Sequence, residues 1–362
     1  MGSDSLTVAV IGCGRLGQHY AGVYATRPDT TLVAIAEANP ERRRVVGERF
    51  GVTRLFDDAR SLFAEVVPDV AALVLPVRYI KDAVLAAVDA GVRGVTTDKP
   101  IAATLADADT MVEACRSAGV VFGGGNLQRA RADVQEAAAW LHAGEFGPIT
   151  GAAVHRWGGG GEISGGGCQH VSVLRLLTGA EVAEVVAWGT PEHKLADGED
   201  EEGLIINGRF TMSDGLAVPV FGAETPQKGV DVWTERALIR WDWEATTVYA
   251  GRDAAGHRLP LDRPFTPVAY PQFDYLGTSI GSFLDAVRTG SELWISGHDL
   301  RQALEVAIAA KRSAAAGSVP IALPLADRTL ALRPRPYRWL GGDVTGREQS
   351  PAEAAAPWAG YD

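Results

Sequence analysis

Three side chains stand out in this sequence because their chemistry suits proton transfer. Lys99 lies in the segment Thr-Asp-Lys-Pro after a predicted strand, where an ammonium group can hydrogen-bond a substrate hydroxyl, help to move its proton or polarise a carbonyl. Glu162 lies within the stretch 158–167, in which seven of ten residues are glycine, and His170 follows it closely. Glycine is costly to order, so such a stretch suggests backbone that passes close to a ligand. We predict that Lys99 and His170 are catalytic and that the glycine-rich stretch forms a substrate wall.

Several nearby side chains are candidates for substrate binding, and each also has a purely structural interpretation. Trp157 either stacks on the apolar face of a sugar or belongs to the core. Glu162 acts as a general acid or base if apolar surroundings raise its pKa, and is otherwise a solvated loop residue. Arg129 contacts substrate hydroxyls or caps a turn. Gln169 and His170 open an apolar helix, and periodicity does not decide which of them faces the site.

The elements that must position these residues begin with a glycine motif between a predicted strand over residues 7–11 and a helix. Its three glycines form G-x-G-x-x-G: Gly12, Gly14 and Gly17. The first permits a tight turn, the second lets a pyrophosphate approach the backbone, and the third lets helix and strand pack closely. The N–H groups at the helix start, around Arg15 and Leu16, suit the phosphates. The motif predicts a dinucleotide-binding unit.

The next predicted strand ends in Glu37, 20 residues after Gly17. An acidic side chain at this spacing is placed to accept a hydrogen bond from a ribose 2′-hydroxyl, and it would repel a 2′-phosphate. NAD is therefore favoured over NADP. Arg42, Arg43 and Arg44 follow and either keep the phosphorylated cofactor possible or form the solvated face of the second helix.

Further strands alternate with helices up to about residue 125, which predicts a doubly wound parallel sheet. Ligands of such sheets bind beyond the carboxyl ends of the strands. Four residues lie at those ends and are expected to contact the cofactor: Leu75, Pro76, Lys99 and Asn126.

These segments together resemble the Gfo/Idh/MocA family of oxidoreductases. The resemblance rests on the glycine motif, Glu37, Leu75–Pro76, Asp98–Pro100, the segment VLRLLTG and the C-terminal segment over residues 283–325. It implies an N-terminal Rossmann domain, then an α+β domain with a large, mostly antiparallel open sheet. It also implies NAD(P)-dependent oxidation or reduction of sugars, inositols or similar polyols. Lys99 matches the family's catalytic lysine, whereas Asp98 replaces the usual glutamate before it.

The second site segment departs from the family pattern, which has an aspartate, a histidine four residues later and a second aspartate three beyond that. Aligning VLRLLTG puts Gln169 in the place of the histidine, Ser172 in that of the later aspartate and Gly165 in that of the earlier one. Either His170 serves with Lys99, or the acid–base group comes from elsewhere, or the chemistry differs from that of a simple dehydrogenase.

Composition limits the partners and the setting. The 362 residues suit two domains, for which we predict the bounds 1–125 and 126–339, followed by a flexible tail or arm over 340–362. A net charge of −11 argues against nucleic acid or an anionic membrane as partner. The three cysteines are far apart and form no CxxC, so neither a disulfide framework nor a metal site is expected. With no export signal at the start, we expect a cytoplasmic protein.

The second half reads as successive strands with turn signals. Trp233, Trp241 and Trp243 alternate with polar residues, as one apolar face of an open sheet would. Because such a face needs cover, we predict a homodimer or homotetramer formed through that sheet.

The leading hypothesis is an NAD-dependent oxidoreductase acting on a sugar-like polyol. The first alternative is a glycoside-cleaving relative that oxidises its sugar transiently, eliminates, and reduces it back on a retained NAD. The second is a protein that binds NAD or a sugar without turnover, which the altered loop favours and the retained Lys99 opposes.

Overall fold

A computed structural model describes residues 5–158, 162–223 and 226–333, which form two compact units. The first contains residues 5–126 and Tyr270–His298, and the second contains the described residues of Leu127–Ala269 and residues 299–333. The sequence-based boundaries assign Tyr270–His298 to the second domain, so the units differ from them by this segment. The predicted tail over 340–362 lies outside the described residues.

The strands are β1 (Leu6–Ile11), β2 (Thr30–Ala36), β3 (Leu55–Phe56), β4 (Val70–Leu73), β5 (Gly94–Thr96), β6 (Val121–Gly123), β7 (Ile149–His155), β8 (Val182–Thr190), β9 (Ile205–Met212), β10 (Ala217–Phe221), β11 (Gly229–Thr234), β12 (Leu238–Trp241), β13 (Thr246–Arg252), β14 (Arg258–Pro260) and β15 (Ile321–Ala322). The helices are α1 (Arg15–Thr26), α2 (Pro40–Phe50), α3 (Ala59–Glu65), α4 (Val77–Ala90), α5 (Leu105–Ala118), α6 (Ala132–His142), α7 (Gly166–Thr178), α8 (Asp274–Thr289) and α9 (Gly297–Ala315).

The first unit is built on a six-stranded parallel sheet in the order β3-β2-β1-β4-β5-β6. The order reverses at β1, so the crevice beyond the carboxyl ends of β1 and β4 is where such a sheet binds its ligand. Helix α8 belongs to the same core, because Ile280 and Phe283 pack in one buried cluster with Val8 and Tyr20.

The second unit is built on a nine-stranded sheet in the order β14-β13-β12-β11-β7-β10-β9-β8-β15. Strands β7 and β10 pair in parallel, and the other neighbours are antiparallel. The predicted fold class, a Rossmann sheet plus a large, mostly antiparallel sheet in an α+β domain, is confirmed.

Helix α7 packs on one face of the nine-stranded sheet, and the side chains of the strands divide between that face and the opposite one. On one face Trp241, Val230 and Val154 are buried, and helix α7 packs there because the His170 ring contacts Trp241. Trp233 pairs with Leu238 and therefore points to the opposite face. The prediction that the three tryptophans share one open face is wrong, because Trp241 lies on the helix-covered side.

Among residues 5–158, 162–223 and 226–333, no helix has the length and apolar character that crossing a membrane requires.

Candidate functional site

In the glycine turn after β1, two of the three glycines are required by the packing of the chain and the third is not. Gly12 has a φ of +90°, and a Cβ there would lie 2.2 Å from the Val74 carbonyl oxygen. A Cβ on Gly17 would lie 1.9 Å from the Gly12 oxygen, so the turn and the packing of helix on strand require both glycines. A Cβ on Gly14 would meet nothing within 4 Å. Gly14 therefore borders open space where a ligand can approach the backbone.

Helix α1 begins beside that space without a side-chain cap. Its N-cap is Gly14, and its first turn, which includes Arg15 and Leu16, contains no acidic residue. The first N–H groups of a helix have no partner within the helix, and the dipole makes this end positive. The open space and the uncapped helix start fit the pyrophosphate of a dinucleotide.

Glu37 is buried directly after β2 and is tied to the glycine turn. Its Oε2 accepts a hydrogen bond from Cys13 N at 2.8 Å, and its Oε1 accepts from Asn39 N at 2.9 Å and from Arg42 Nη1 at 3.2 Å. Arg43 Nη1 donates to the Glu37 carbonyl oxygen at 2.6 Å. Two of the three arginines that kept NADP possible therefore bind Glu37 itself.

A second helix start lies at the end of β4. Pro76 is the N-cap of α4, which has no side-chain cap and no acidic residue in its first turn. Leu75 borders the glycine turn, since its Cδ2 would be 3.0 Å from a Cβ on Gly12. The structure thus brings the predicted cofactor residues Leu75 and Pro76 to the glycine motif.

Asp98 connects the ends of β5 and β6 and holds Lys99 in place. Its Oδ1 accepts from Lys99 N at 2.7 Å and lies 3.4 Å from Lys99 Nζ, whose side chain is 6% exposed. Its Oδ2 accepts from Asn126 N at 2.9 Å and from the Tyr20 hydroxyl at 3.2 Å. Burial and the Asp98 charge raise the pKa of Tyr20 well above its usual value, so this hydroxyl stays a donor. The predicted residues Lys99 and Asn126 therefore meet on one carboxylate.

In the second unit His170 lies in an aromatic cluster on α7. Its ring is fully buried, with its centroid 5.5 Å from that of Trp241 and 5.2 Å from that of Trp243. Burial lowers its pKa to about 4, so the imidazole is neutral near pH 7. Nδ1 lies 3.1 Å from the Gly166 oxygen and must carry the proton, because a carbonyl oxygen only accepts. Nε2 makes no hydrogen bond of good geometry among the described residues, although the His155 backbone is close enough to oppose the effect of burial on the His170 pKa.

Gln169 faces a different neighbour from His170. Its Oε1 accepts a hydrogen bond from Gln128 N at 2.7 Å, and Gln128 Oε1 accepts from Trp241 Nε1 at 3.0 Å. These buried amides connect α7 to the segment after β6 and to the ring that contacts His170. Gln169 therefore helps to hold Gln128, and through it the Trp241 ring that contacts His170.

Trp157 and Arg129 are held by the protein itself. Trp157 is 1% exposed, donates its indole N–H to the Gly167 oxygen at 3.1 Å and packs edge-on against Phe210. It has no exposed ring face for a sugar, so the core interpretation holds for this residue. Arg129 donates to the Ser172 oxygen at 3.1 Å and lies 3.6 Å from an oxygen of Asp299.

Glu162 is half-buried in the glycine-rich stretch, whose residues 159–161 lie outside the described residues. Its carbonyl oxygen accepts from Gly167 N at 3.1 Å, which closes the turn before α7. The two positions where the family has aspartates carry Gly165, the N-cap of α7, and Ser172, whose buried Oγ has no hydrogen-bond partner within the described chain.

Sequence reasoning missed several residues that shape these two sites: Tyr20, Glu201 and Asp299. Tyr20 reads as an ordinary helix residue, and only its long-range partner Asp98 reveals its role. Glu201 lies in an acidic run over residues 197–202, and such runs are usually solvated.

Comparisons with known proteins agree with this architecture. A family model described as "Oxidoreductase family, NAD-binding Rossmann fold" matches residues 6–125. The chain is 31% identical over 178 residues to D-glucoside 3-dehydrogenase of Escherichia coli K12, a match that covers 46% of this chain and 50% of that enzyme. The aligned part thus spans about half of the enzyme's length. Myo-inositol 2-dehydrogenase of Thermotoga maritima is 23% identical over 326 residues, covering 85% of this chain and 96% of that enzyme.

A solved structure shares the whole fold. The oxidoreductase from Agrobacterium radiobacter, solved in complex with NAD+, L-tartaric acid and magnesium, superposes with a TM-score of 0.72 at 21% identity, covering 88% of this chain and 98% of that one. The prediction of an NAD-binding Rossmann domain is confirmed. The matched model is that of the Gfo/Idh/MocA oxidoreductases, so the predicted resemblance to this family is confirmed over residues 6–125.

Proposed function

We propose that this protein is an NAD-dependent oxidoreductase that interconverts a hydroxyl and a carbonyl on a sugar, an inositol or a related polyol. The observation that carries the proposal is the Asp98–Lys99 pair at the end of β5, in a domain whose glycine turn fits a dinucleotide. The named activities of the two curated relatives, on a glucoside and on myo-inositol, support the substrate class.

Bound NAD would supply the hydride acceptor. Lys99 would hydrogen-bond the reacting hydroxyl through Nζ; as a neutral amine it would accept the hydroxyl proton as the carbon is oxidised and then release it to solvent. Asp98 would keep Nζ oriented, since its Oδ1 lies 3.4 Å from Nζ and 2.7 Å from the backbone nitrogen of the same lysine. In the reverse reaction Lys99 would polarise the carbonyl oxygen.

His170 is the second proposed catalytic group. Its Nε2 has a lone pair and no hydrogen-bond partner of good geometry in the part of the chain that is described, so it would accept a hydrogen bond from a substrate hydroxyl and orient it. Because burial lowers its pKa to about 4, the imidazole would be neutral and able to accept that hydrogen bond throughout the neutral range.

Cofactor contacts are proposed from the helix starts and strand ends of the first unit. The N–H groups at the start of α1 and the backbone at Gly14 would bind the pyrophosphate. Glu37 would accept from the adenosine ribose, where its charge disfavours a 2′-phosphate. The nicotinamide half would be contacted by Leu75, Pro76, Lys99 and Asn126.

For substrate recognition we propose Glu162 as a direct contact from the glycine-rich stretch. Arg129, Trp157 and Gln169 would act mainly by holding the walls of that site, because each donates or accepts at least one hydrogen bond within the second unit.

A glycoside-cleaving activity is the second candidate. The observation that favours it is the replacement of both family aspartates, by Gly165 and by Ser172, so the acid–base set of a simple dehydrogenase is incomplete. A protein that binds NAD or a sugar without turnover is the third.

One experiment separates the three candidates. The purified protein is incubated with NAD and a panel of sugars, polyols and aryl glycosides, with Lys99→Met as the matched variant. Net NADH that is lost in Lys99→Met supports the dehydrogenase, and released aglycone without net NADH supports the glycosidase. Thermal stabilisation by a sugar without either product would leave the binding protein and overturn the proposal.

We also propose a homodimer or homotetramer formed through the open face of the nine-stranded sheet. On that face Trp188 is 53% exposed and Phe221 is 43% exposed, and both lie beside Asn207. Light scattering of wild type and of the double variant Trp188→Lys, Phe221→Lys tests this, because a monomeric wild type would refute it.

A cytoplasmic setting is proposed from the three buried cysteine thiols and is tested by cell fractionation.

A further inference from the structure

The carboxylate of Glu201 is fully buried although every other residue from 196 to 202 is exposed or only half-buried. It lies in the connection between β8 and β9. Its Oε2 accepts a hydrogen bond from Ser164 N at 2.8 Å, and its Oε1 accepts a shorter one from the Ser164 hydroxyl. One buried acid therefore binds both the backbone N–H and the hydroxyl of a single residue in the glycine-rich stretch, 37 positions earlier in the chain.

The backbone of Glu201 is fixed independently of this contact. Its nitrogen donates to the Arg333 oxygen and its oxygen accepts from Leu204 N, both at 3.0 Å. Lys311 of α9 is buried nearby and donates to the Glu199 oxygen at 3.0 Å. The carboxylate is thus held on a rigid base rather than on a mobile loop.

The segment that Glu201 binds positions other site residues. Ser164 immediately precedes Gly165, the N-cap of α7, which makes no side-chain cap bond. Two residues farther on, the Gly166 oxygen accepts from His170 Nδ1 and the Gly167 oxygen accepts from Trp157 Nε1. A displacement of Ser164 would therefore move the backbone oxygen that orients the His170 ring.

Burying this carboxylate is costly for stability. Burial, together with the charge of Glu162, raises the pKa of Glu201 to about 7, although the Ser164 bonds and Lys311 oppose the shift. A neutral or apolar residue would fill the same space at a smaller desolvation cost. The carboxylate is explained better by the two directed hydrogen bonds than by stability.

We propose that Glu201 is a positioning residue that holds the start of α7 through Ser164, and so sets the position of residues 164–167 and the orientation of the His170 ring. The effect on substrate rests on the proposed function, whereas the anchoring of the loop does not.

Amide hydrogen exchange tests the anchoring without any substrate. In Glu201→Ala, the amides of residues 163–169 are expected to exchange at least about tenfold faster, because two hydrogen bonds to a charged group are lost. Glu201→Gln is expected to restore most of the protection, since its amide oxygen can accept from Ser164 N and its NH₂ can donate to the Ser164 hydroxyl. Glu202→Gln, at the exposed neighbouring position, is the control. Unchanged exchange in Glu201→Ala would overturn the proposal.

Should Glu201→Ala fail to fold, Ser164→Ala replaces it. This variant removes only the hydroxyl bond, so the same amides are expected to exchange a few-fold faster, about the effect of one hydrogen bond. No change in Ser164→Ala would again refute the anchoring.

Steady-state kinetics then test the effect on substrate. Glu201→Ala is expected to raise the KM for the sugar about tenfold while the KM for NAD stays within about twofold, and Glu201→Gln to return it towards wild type. An equal loss for sugar and NAD, or a lower kcat alone, would indicate a merely structural role and overturn the proposal. A wild type without turnover but with the expected exchange pattern would refute the proposed function and leave the anchoring intact.

Discussion

Replacing Asp98 by asparagine is the sharpest perturbation of the first unit, because the change keeps the shape and removes one charge. Both oxygens of Asp98 accept hydrogen bonds, Oδ1 from Lys99 N and Oδ2 from Asn126 N and the Tyr20 hydroxyl. An asparagine has only one oxygen, so its NH₂ must face a donor whichever way the amide is turned. One backbone N–H therefore loses its partner in either orientation.

The loss of stability expected in Asp98→Asn follows from these contacts. A hydrogen bond to a charged group contributes about 1.5–3 kcal/mol, and a buried donor left without a partner costs about 1–3 kcal/mol. We expect Asp98→Asn to lower the free energy of unfolding by about 3 kcal/mol, measured by urea unfolding and circular dichroism. The matched variant Tyr20→Phe removes one hydrogen bond and leaves the carboxylate intact, so it should cost only about 1 kcal/mol.

Activity should respond as well, because the counter-charge 3.4 Å from Lys99 Nζ is lost. A misplaced catalytic group costs about 10²-fold in rate, so kcat/KM should fall by about that factor in Asp98→Asn. Asp98→Glu, which restores the residue that the family usually carries, should retain more activity than Asp98→Asn. An unfolding free energy and a kcat/KM for Asp98→Asn equal to those of wild type would refute this account of the carboxylate.

Four further predictions concern the cofactor turn and two buried titratable groups. Gly14→Ala should unfold like wild type, within about 0.5 kcal/mol, because its Cβ meets nothing within 4 Å, yet it should weaken NAD binding in calorimetry. Gly17→Ala should lower the melting temperature, because its Cβ would overlap the backbone 1.9 Å away. The pKa of Glu201 is raised to about 7, so its contribution to stability is lost as pH rises from about 4.5 to 7. In unfolding measured across that pH range, the free energy of unfolding of Glu201→Gln should therefore rise relative to that of wild type by up to about 3 kcal/mol. The pKa of His170 is lowered to about 4, so its contribution to stability is present above about pH 6.5 and lost as pH falls. Between pH 6.5 and 4 the free energy of unfolding of His170→Gln should therefore rise relative to that of wild type by up to about 3 kcal/mol.

Each of these has a contradicting result. Unchanged NAD affinity in Gly14→Ala would place the pyrophosphate elsewhere, and an unchanged melting temperature in Gly17→Ala would show that the turn can widen. Parallel pH–stability curves for wild type and either Glu201→Gln or His170→Gln would mean that the group does not titrate with the shifted pKa.

The first unit could be predicted in detail because its signals are local. Helix α5, for example, has local signals at both ends, because Thr104 caps its start and Gly119 ends it. The strand predicted over 7–11 differs from β1 by one residue. Strand ends in a parallel sheet meet at one edge, so Lys99 and Asn126 could be grouped before any contact was known.

The second unit was harder because backbone reversals change which face a side chain occupies. In an unbroken strand His155 and Trp157 would lie on one face, but β7 ends at His155 and Arg156 has a φ of +55°. As a result His155 stacks on Phe221 while Trp157 packs against Phe210 on the other side of the sheet. An alternating pattern does not reveal such a residue.

Long-range polar contacts were also invisible to sequence patterns. Helix α7 begins at Gly166, ahead of the Gln169–His170 start that the sequence predicts, and its start is bound by Glu201 through Ser164 N and by Trp157 through the Gly167 oxygen. Glycines carry no helix signal of their own, and the residues that hold them come from distant segments.

If this chain transfers hydride between a sugar carbon and NAD with help from Lys99, deuterium must pass from the sugar to the cofactor. Mass spectrometry of the cofactor, acid-quenched during turnover of sugars deuterated at their ring carbons, tests this for a net oxidation and also for a redox-neutral cleavage, in which the cofactor carries the deuterium only transiently. We expect deuterium in the reduced cofactor with wild type and transfer about 10²-fold slower with Lys99→Met, at unchanged NAD affinity. Undiminished transfer in Lys99→Met, or no deuterium in the cofactor with any sugar that binds, would contradict the account.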